Sequence, residues 1–253
     1  MFVVYLALST ILAGPAVPAA AAQPPGPAAA QPALTDADAL YRDREHAASA
    51  VAAERILSAR VQSAPGDFDA AWQLARVRYW LGTNGPASSD DKKRILERGI
   101  DAGRIAIAAR PGAAAGHFWM AANMGALSEA HGLRQGIKYR NLIKAALEAA
   151  LKADPSYLDG SPDRALGRWY FKVPGLFGGD VKQSEVHLRK ALAYKTDSVI
   201  TLLFLGETLL ELDRRAEGKA MLQAALDAPF DPDWTPEDTR FKARARQVLA
   251  TVQ

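Results

Sequence analysis

The sequence predicts an all-α protein, a helical-repeat superhelix of about five helix pairs with a C-terminal capping helix. Three observations carry this. From Thr35 onward the apolar residues recur at helical spacing, and no alternating strand pattern is present. Five helical runs end alike, at Pro65 in SARVQSAPGD, Pro111 in RIAIAARPGA, Pro155 in AALKADPSY, Asp197 in KALAYKTDS and Pro229 in AALDAPFD. Proline suits a position just past a helix end because it cannot continue the hydrogen-bond ladder and disfavours helix in the residue before it. Finally, a large residue followed by a small one recurs as Leu74-Ala75, Leu166-Gly167 and Leu205-Gly206, with Met120-Ala121 as a looser fourth. The large side chain fills the space between the helices of a pair, and the small one lets the second helix approach.

Residues 1–34 carry no charged side chain. The apolar run Phe2 to Leu12 is too short to span a bilayer, which takes roughly 20 residues. GPAVPAAAAQPP follows, with Ala20-Ala21-Ala22 before Gln23, so residues 1–22 read as a signal peptide although the first ten hold no Lys or Arg. Residues 23–34 are a Pro/Ala-rich disordered lead-in, and 35–253 form a single repeat domain. The expected location is periplasmic or secreted. The chain has no cysteine, which excludes disulfides, thiolate metal sites, a cysteine nucleophile and a lipid-bearing cysteine.

Within the domain, three loops join the helices of a pair: GTNGPASSDD (Gly82 to Asp91), HGLRQG (His131 to Gly136) and VPGLFGGD (Val173 to Asp180). In the last, Pro174 ends one helix, the glycines permit positive φ, and Asp180 with Gln183 opens the next. A phosphate-binding loop would need a preceding strand and a Lys-Ser/Thr pair, and neither is present. Gly218, Leu222 and Ala225 share one helix face in the last pair. Thr235 is expected to cap a final helix opened by Pro236, which runs to about Val252 and seals the stack.

Chemistry is sparse. The net charge of +3 comes without a long basic run and does not point to nucleic acid. His46, His117, His131 and His187 are scattered, with no H-E-x-x-H and no i, i+4 pair, so no metal is expected. SSDD (Ser88 to Asp91) and DPDWTPED (Asp231 to Asp238) lack calcium-loop spacing and read as helix caps. With no Gly-x-Ser-x-Gly elbow either, neither an enzyme nor a cofactor is expected.

The small and large positions of Ile200 to Pro229 resemble the tetratricopeptide repeat family. The spacings of 46, 46 and 39 residues between Leu74, Met120, Leu166 and Leu205 exceed its usual repeat of about 34 and would also suit HEAT or armadillo units. The three loops are the expected seat of the surplus. Across His117 to Pro229, GHFWMAANMGAL, KAALEAALKADPSY, GSPDRALGRWYFKVPGLFGGD and HLRKAL resemble the T-component proteins of tripartite ATP-independent periplasmic transporters, and more distantly the regulator of microtubule dynamics family. The resemblance implies an exported helical-repeat protein that binds a small hydrophobic ligand or a partner protein, with a transporter substrate-binding component as one possible partner.

In such a superhelix the first helices of the pairs line the concave face. Register then places Trp72, Arg76, Tyr79, Trp80, Phe118, Arg164, Arg168, Phe171, Lys172 and Glu207 in the groove. That aromatic and mainly cationic set suits a small anionic amphiphile, or a carboxylate-bearing peptide of a partner protein held by arginine forks. The plainer alternative puts Trp72 and Trp80 in the core between repeats and the arginines on a solvated face.

Overall fold

A computed structural model describes residues 34–130 and 132–252. The expected signal peptide and nearly all of the lead-in lie outside these residues, as does His131. The described residues form eleven α-helices and no strand. They are α1 (Leu34–Arg42), α2 (Ala47–Ser63), α3 (Phe68–Asn84), α4 (Ser89–Ala109), α5 (Ala114–Ala130), α6 (Leu133–Ala153), α7 (Tyr157–Lys172), α8 (Val181–Tyr194), α9 (Val199–Glu211), α10 (Arg215–Asp227) and α11 (Thr235–Thr251). Contacts are dense within α3/α4, α5/α6, α7/α8 and α9/α10, and also between α4 and α5 of successive pairs; α1 packs on α2, and α11 on α9 and α10. This is the expected succession of five pairs and a terminal helix.

Each proline-marked ending falls where the sequence placed it. α2, α4, α6 and α10 stop two residues before Pro65, Pro111, Pro155 and Pro229. The small-residue rule also has a direct geometric basis. A Cβ on Gly167 would lie 2.6 Å from Leu188 Cγ, and one on Gly206 would lie 2.7 Å from Leu222 Cγ. Leu166 and Leu205 are buried beside them, and Leu74 is buried beside Ala75. Met120, the looser match, is half-buried, and its Cβ sits 2.6 Å from where a Cβ on Gly103 would be.

Three local expectations need correction. The surplus length sits in helices rather than loops: α4 and α6 are 21 residues each, while only 85–88 and 131–132 separate the helices of their pairs. Gly82, expected in a loop, is inside α3, where its missing side chain makes room for Leu96. Thr235 does not cap α11; its hydroxyl donates back to the Asp231 carbonyl at 2.9 Å, and Asp238 accepts from the Asp231 N–H at 3.0 Å.

The α7 segment explains its own proline. Leu158, Asp159 and Gly160 are left-handed, with φ of 46, 56 and 75, so regular helix starts after Gly160 and Pro162 falls in its first turn. Gly160 is also a close approach: a Cβ there would lie 2.6 Å from the Tyr194 ring.

Candidate functional site: the concave cavity

The inner faces of α3, α5, α7, α9 and α11 border a cavity of about 1440 Å3. Aromatic residues from different helices converge on it, among them Tyr79, Phe118, Trp119, Phe204 and Phe241. Tyr79 and Trp119 lie 5.7 Å apart, Phe118 is edge-on to Trp119 at 5.1 Å, and Phe204 is edge-on to Phe241 at 6.0 Å. Such tilted pairs favour fixed rings over a collapsible lining. Burial in this apolar surround pushes the Tyr79 phenol up to about 12, so it stays a neutral hydrogen-bonding group.

Of the ten groove residues expected from register, six line the cavity: Tyr79, Phe118, Arg164, Arg168, Lys172 and Glu207. The other four lie elsewhere. Trp80 is buried and donates its indole N–H to the Arg44 carbonyl at 2.9 Å. Trp72 donates to Asp69 at 3.1 Å. Arg76 pairs with Asp38 at 2.8 Å and lies 4.0 Å over the Tyr41 ring. Phe171 is half-buried and stacks under Arg168 at 5.4 Å. For Arg76 the reason is α1, which lies against α3 and supplies Asp38 and Tyr41 where register alone would leave the side chain facing solvent.

The cations differ sharply in their partners. Arg168 is bound by Glu207 at 2.6 Å, and Glu207 is also bound by Arg244 at 3.1 Å, a buried carboxylate tying α7, α9 and α11 together. Lys172 reaches Glu129 at 3.9 Å. Arg164 donates to Ser161 Oγ and has no carboxylate within ion-pair distance among the described residues. Burial draws its guanidinium down to about 10, only partly offset by Asp159, Tyr79 and Asp238. An arginine remains protonated at neutral pH, so Arg164 is an under-compensated charge facing a largely apolar cavity. Eight basic and seven acidic side chains line the whole cavity, so the groove is nearly balanced rather than mainly cationic, and Arg164 is the deeply buried cation among the lining residues that lack an ion pair.

A feature beyond sequence reading closes one side. Arg44, between α1 and α2, is 3% exposed and forks onto Glu237 in the first turn of α11 at 3.1 and 2.6 Å. It also donates to the Asp233 carbonyl at 2.7 Å, and Arg240 lies 4.9 Å over Trp80. The first and last helices of the repeat domain are thereby joined beside the cavity. Among the described residues no group of three or more His, Asp or Glu could hold a metal ion. His117 makes a solvent-exposed bond to the Pro111 carbonyl at 2.8 Å, and His187 pairs with Asp163 at 2.7 Å between α7 and α8.

A family described as regulator of microtubule dynamics protein 1-3 matches residues 33–177, more than half of the chain. The chain belongs to this family. Regulator of microtubule dynamics protein 1 of Bos taurus is 24% identical over 199 residues, covering 72% of this chain and 61% of its own length. The Mus musculus protein is 22% identical over 233 residues, covering 85% and 72%. The chain thus spans about six-tenths of the cattle relative it matches. A thermophilic tetratricopeptide protein of Thermus thermophilus has the same fold, with a TM-score of 0.63 and 22% identity over 86% of this chain and all of that one. MamA aligns with a TM-score of 0.50 and 12% identity over 80% of this chain and 95% of its own. These structures favour the tetratricopeptide reading over the HEAT and armadillo alternatives. The expected periplasmic or secreted location is corrected by the family: the curated relatives this chain matches are mammalian regulators of microtubule dynamics, not exported bacterial proteins. The likeness to transporter T-components rests on the sequence motifs alone.

Proposed function

We propose that the domain is a non-catalytic interaction scaffold whose concave cavity holds a segment of a partner protein, with a carboxylate of that segment on Arg164. The size of the cavity carries this reading. At about 1440 Å3 it exceeds the roughly 300–1,000 Å3 that encloses a drug-sized molecule, and it has room for a short stretch of chain. Its rings supply apolar contact, Arg164 supplies a fork for one anion, and tetratricopeptide folds use this concave face for partners. The relatives are named as regulators, a role that a binding scaffold fits.

A second reading keeps the cavity and changes the occupant to a small amphiphile, its chain among Phe118, Phe204 and Phe241 and its anionic head at Arg164. The Arg44–Glu237 fork favours it, because a cavity closed on one side suits a ligand that can be enclosed.

Fluorescence anisotropy with a labelled library of roughly ten-residue peptides, each with an apolar half and one carboxylate, tests the first reading against Arg164→Ala. Selected peptides should bind the unmodified chain and lose affinity to the variant. Native mass spectrometry showing a tightly held amphiphile, with no peptide bound above background, would favour the second.

A further inference from the structure

We propose that the corner between α7 and α8, together with the facing start of α6, docks onto an anionic membrane surface. Leu176 is 89% exposed, the most exposed large apolar side chain among the described residues, and Phe177 and Ile137 beside it are 38% and 43% exposed. The backbone holds this corner rigidly. Phe177 N–H donates to the Pro174 carbonyl at 2.8 Å, Gly178 N–H to Gly175 at 3.0 Å, and Asp180 N–H to Tyr170 at 3.0 Å. Gly178 adopts φ 99, and a Cβ on Gly179 would fall 1.6 Å from the Val173 carbonyl oxygen. Leu176 is therefore presented outward by a pinned turn.

The charges on the facing start of α6 are basic, although Asp180 ends the corner itself and Lys144 is paired with Glu148 at 3.7 Å. The Arg140 guanidinium lies 5.3 Å over the Phe177 ring, and Lys144 lies 5.2 Å over Tyr170. Lys138 and Arg140 have no carboxylate within ion-pair distance among the described residues. From Ala130 to Leu147 the chain contains basic residues and no Asp or Glu. Apolar tips beside the two unpaired cations Lys138 and Arg140 match a leaflet whose acyl region accepts Leu and Phe while its anionic headgroups neutralise Lys and Arg. This charge complementarity selects a bilayer over an apolar protein groove. No described helix is long and apolar enough to cross a membrane, so the contact is peripheral. Ile137, Arg140 and Phe177 also line the cavity, so docking would bring its mouth to the bilayer, whatever the cavity binds.

Co-sedimentation of the full chain with phosphatidylcholine vesicles, with and without phosphatidylserine, tests this. The chain should bind only the phosphatidylserine vesicles, and less as salt rises. Leu176→Asp and Lys138→Glu should each weaken binding roughly tenfold with an unchanged melting temperature, while Val51→Asp on α2 should not. Tryptophan placed by Leu176→Trp should be quenched by lipids with brominated chains. The proposal is overturned if the chain ignores anionic vesicles, if Leu176→Asp binds like the parent, or if binding is lost only in Arg164→Ala, which would mean lipid taken into the cavity. Capture of a protein partner that depends on Leu176, without vesicle binding, would also overturn it by giving the surface to a protein.

Discussion

Arg164 and Arg168 stand one turn apart on α7, and the difference between them lies in what faces each. Arg168 is engaged by buried Glu207, so Arg168→Ala is a stability change: it leaves Glu207 with Arg244 alone and should cost about 1–3 kcal/mol, read as a lower melting temperature. Arg164 has no such partner, so Arg164→Ala should leave the melting temperature nearly unchanged and weaken an anionic ligand by about 1.5–3 kcal/mol in a titration. The acid limb of stability also belongs to single residues. Burial disfavours the Asp67, Asp231 and Glu185 carboxylates, but Ala70 N–H with Arg60, Lys195 with Asp233 N–H, and Arg189 with Arg214 outweigh it and hold them below their ordinary values. Their stabilisation is complete above the ordinary carboxylate range and is lost as pH falls through the lowered folded values, below about pH 4. Burial pushes Glu237 and Asp238 up instead, so there the folded state takes up protons first and stability rises as pH falls toward 4. Melting temperature should accordingly stay level or rise slightly from about pH 7 to 5 and fall steeply below about 4. A steady decline from pH 7 would contradict this assignment.

At the scale of elements, the turn after α7 is a structural corner. Gly178→Ala must place a side chain at φ 99, in ordinary contact with the Trp169 ring at 3.6 Å, and should cost about 1 kcal/mol. Gly179→Ala must move backbone away from the Val173 carbonyl and should cost more, about 1–3 kcal/mol, which paired thermal melts will separate. The terminal helix is the other critical element. Phe241, Ala245, Val248 and Leu249 cover Val199, Leu202, Leu203 and Leu222, and Lys242 donates to the Leu226 carbonyl at 3.0 Å at the end of α10. Removing 235–253 should lower the melting temperature of the whole domain, because each stacked interface supports the next. A truncated chain that stays soluble and melts unchanged would show that α11 is no cap. The helix endings were legible because proline acts locally, and the close approaches at Gly167 and Gly206 because a missing side chain is visible in sequence. The added length in α4 and α6 was not, since their first residues, 89–91 and 133–136, are polar or glycine-bearing and read locally as loop. Nor was the burial of Trp80 and Arg76, which depends on α1 lying across a face that register alone leaves open.

At the scale of the whole domain, the feature furthest from sequence is the fork between Arg44 and Glu237, residues 193 positions apart. Arg44→Ala would leave the half-buried Glu237 carboxylate without its partner and release the α11 start from Trp80. A loss of about 2–4 kcal/mol in denaturant unfolding is expected, less if water reaches Glu237 through the cavity. Six of the ten groove residues were legible because register alone places them on the inner faces of α3, α5, α7 and α9, toward the cavity. The closing contacts were not, because no local pattern encodes a pairing of the two ends. The central claim is that the concave cavity is where this protein binds. Photo-crosslinking with an acidic, apolar peptide carrying a benzophenone, mapped by mass spectrometry, tests it most directly. Crosslinks should cluster at Tyr79, Phe118, Phe204 and Phe241 and fade in Arg164→Ala; crosslinks confined to the outer helices α2, α4 and α8, unaffected by that change, would contradict it.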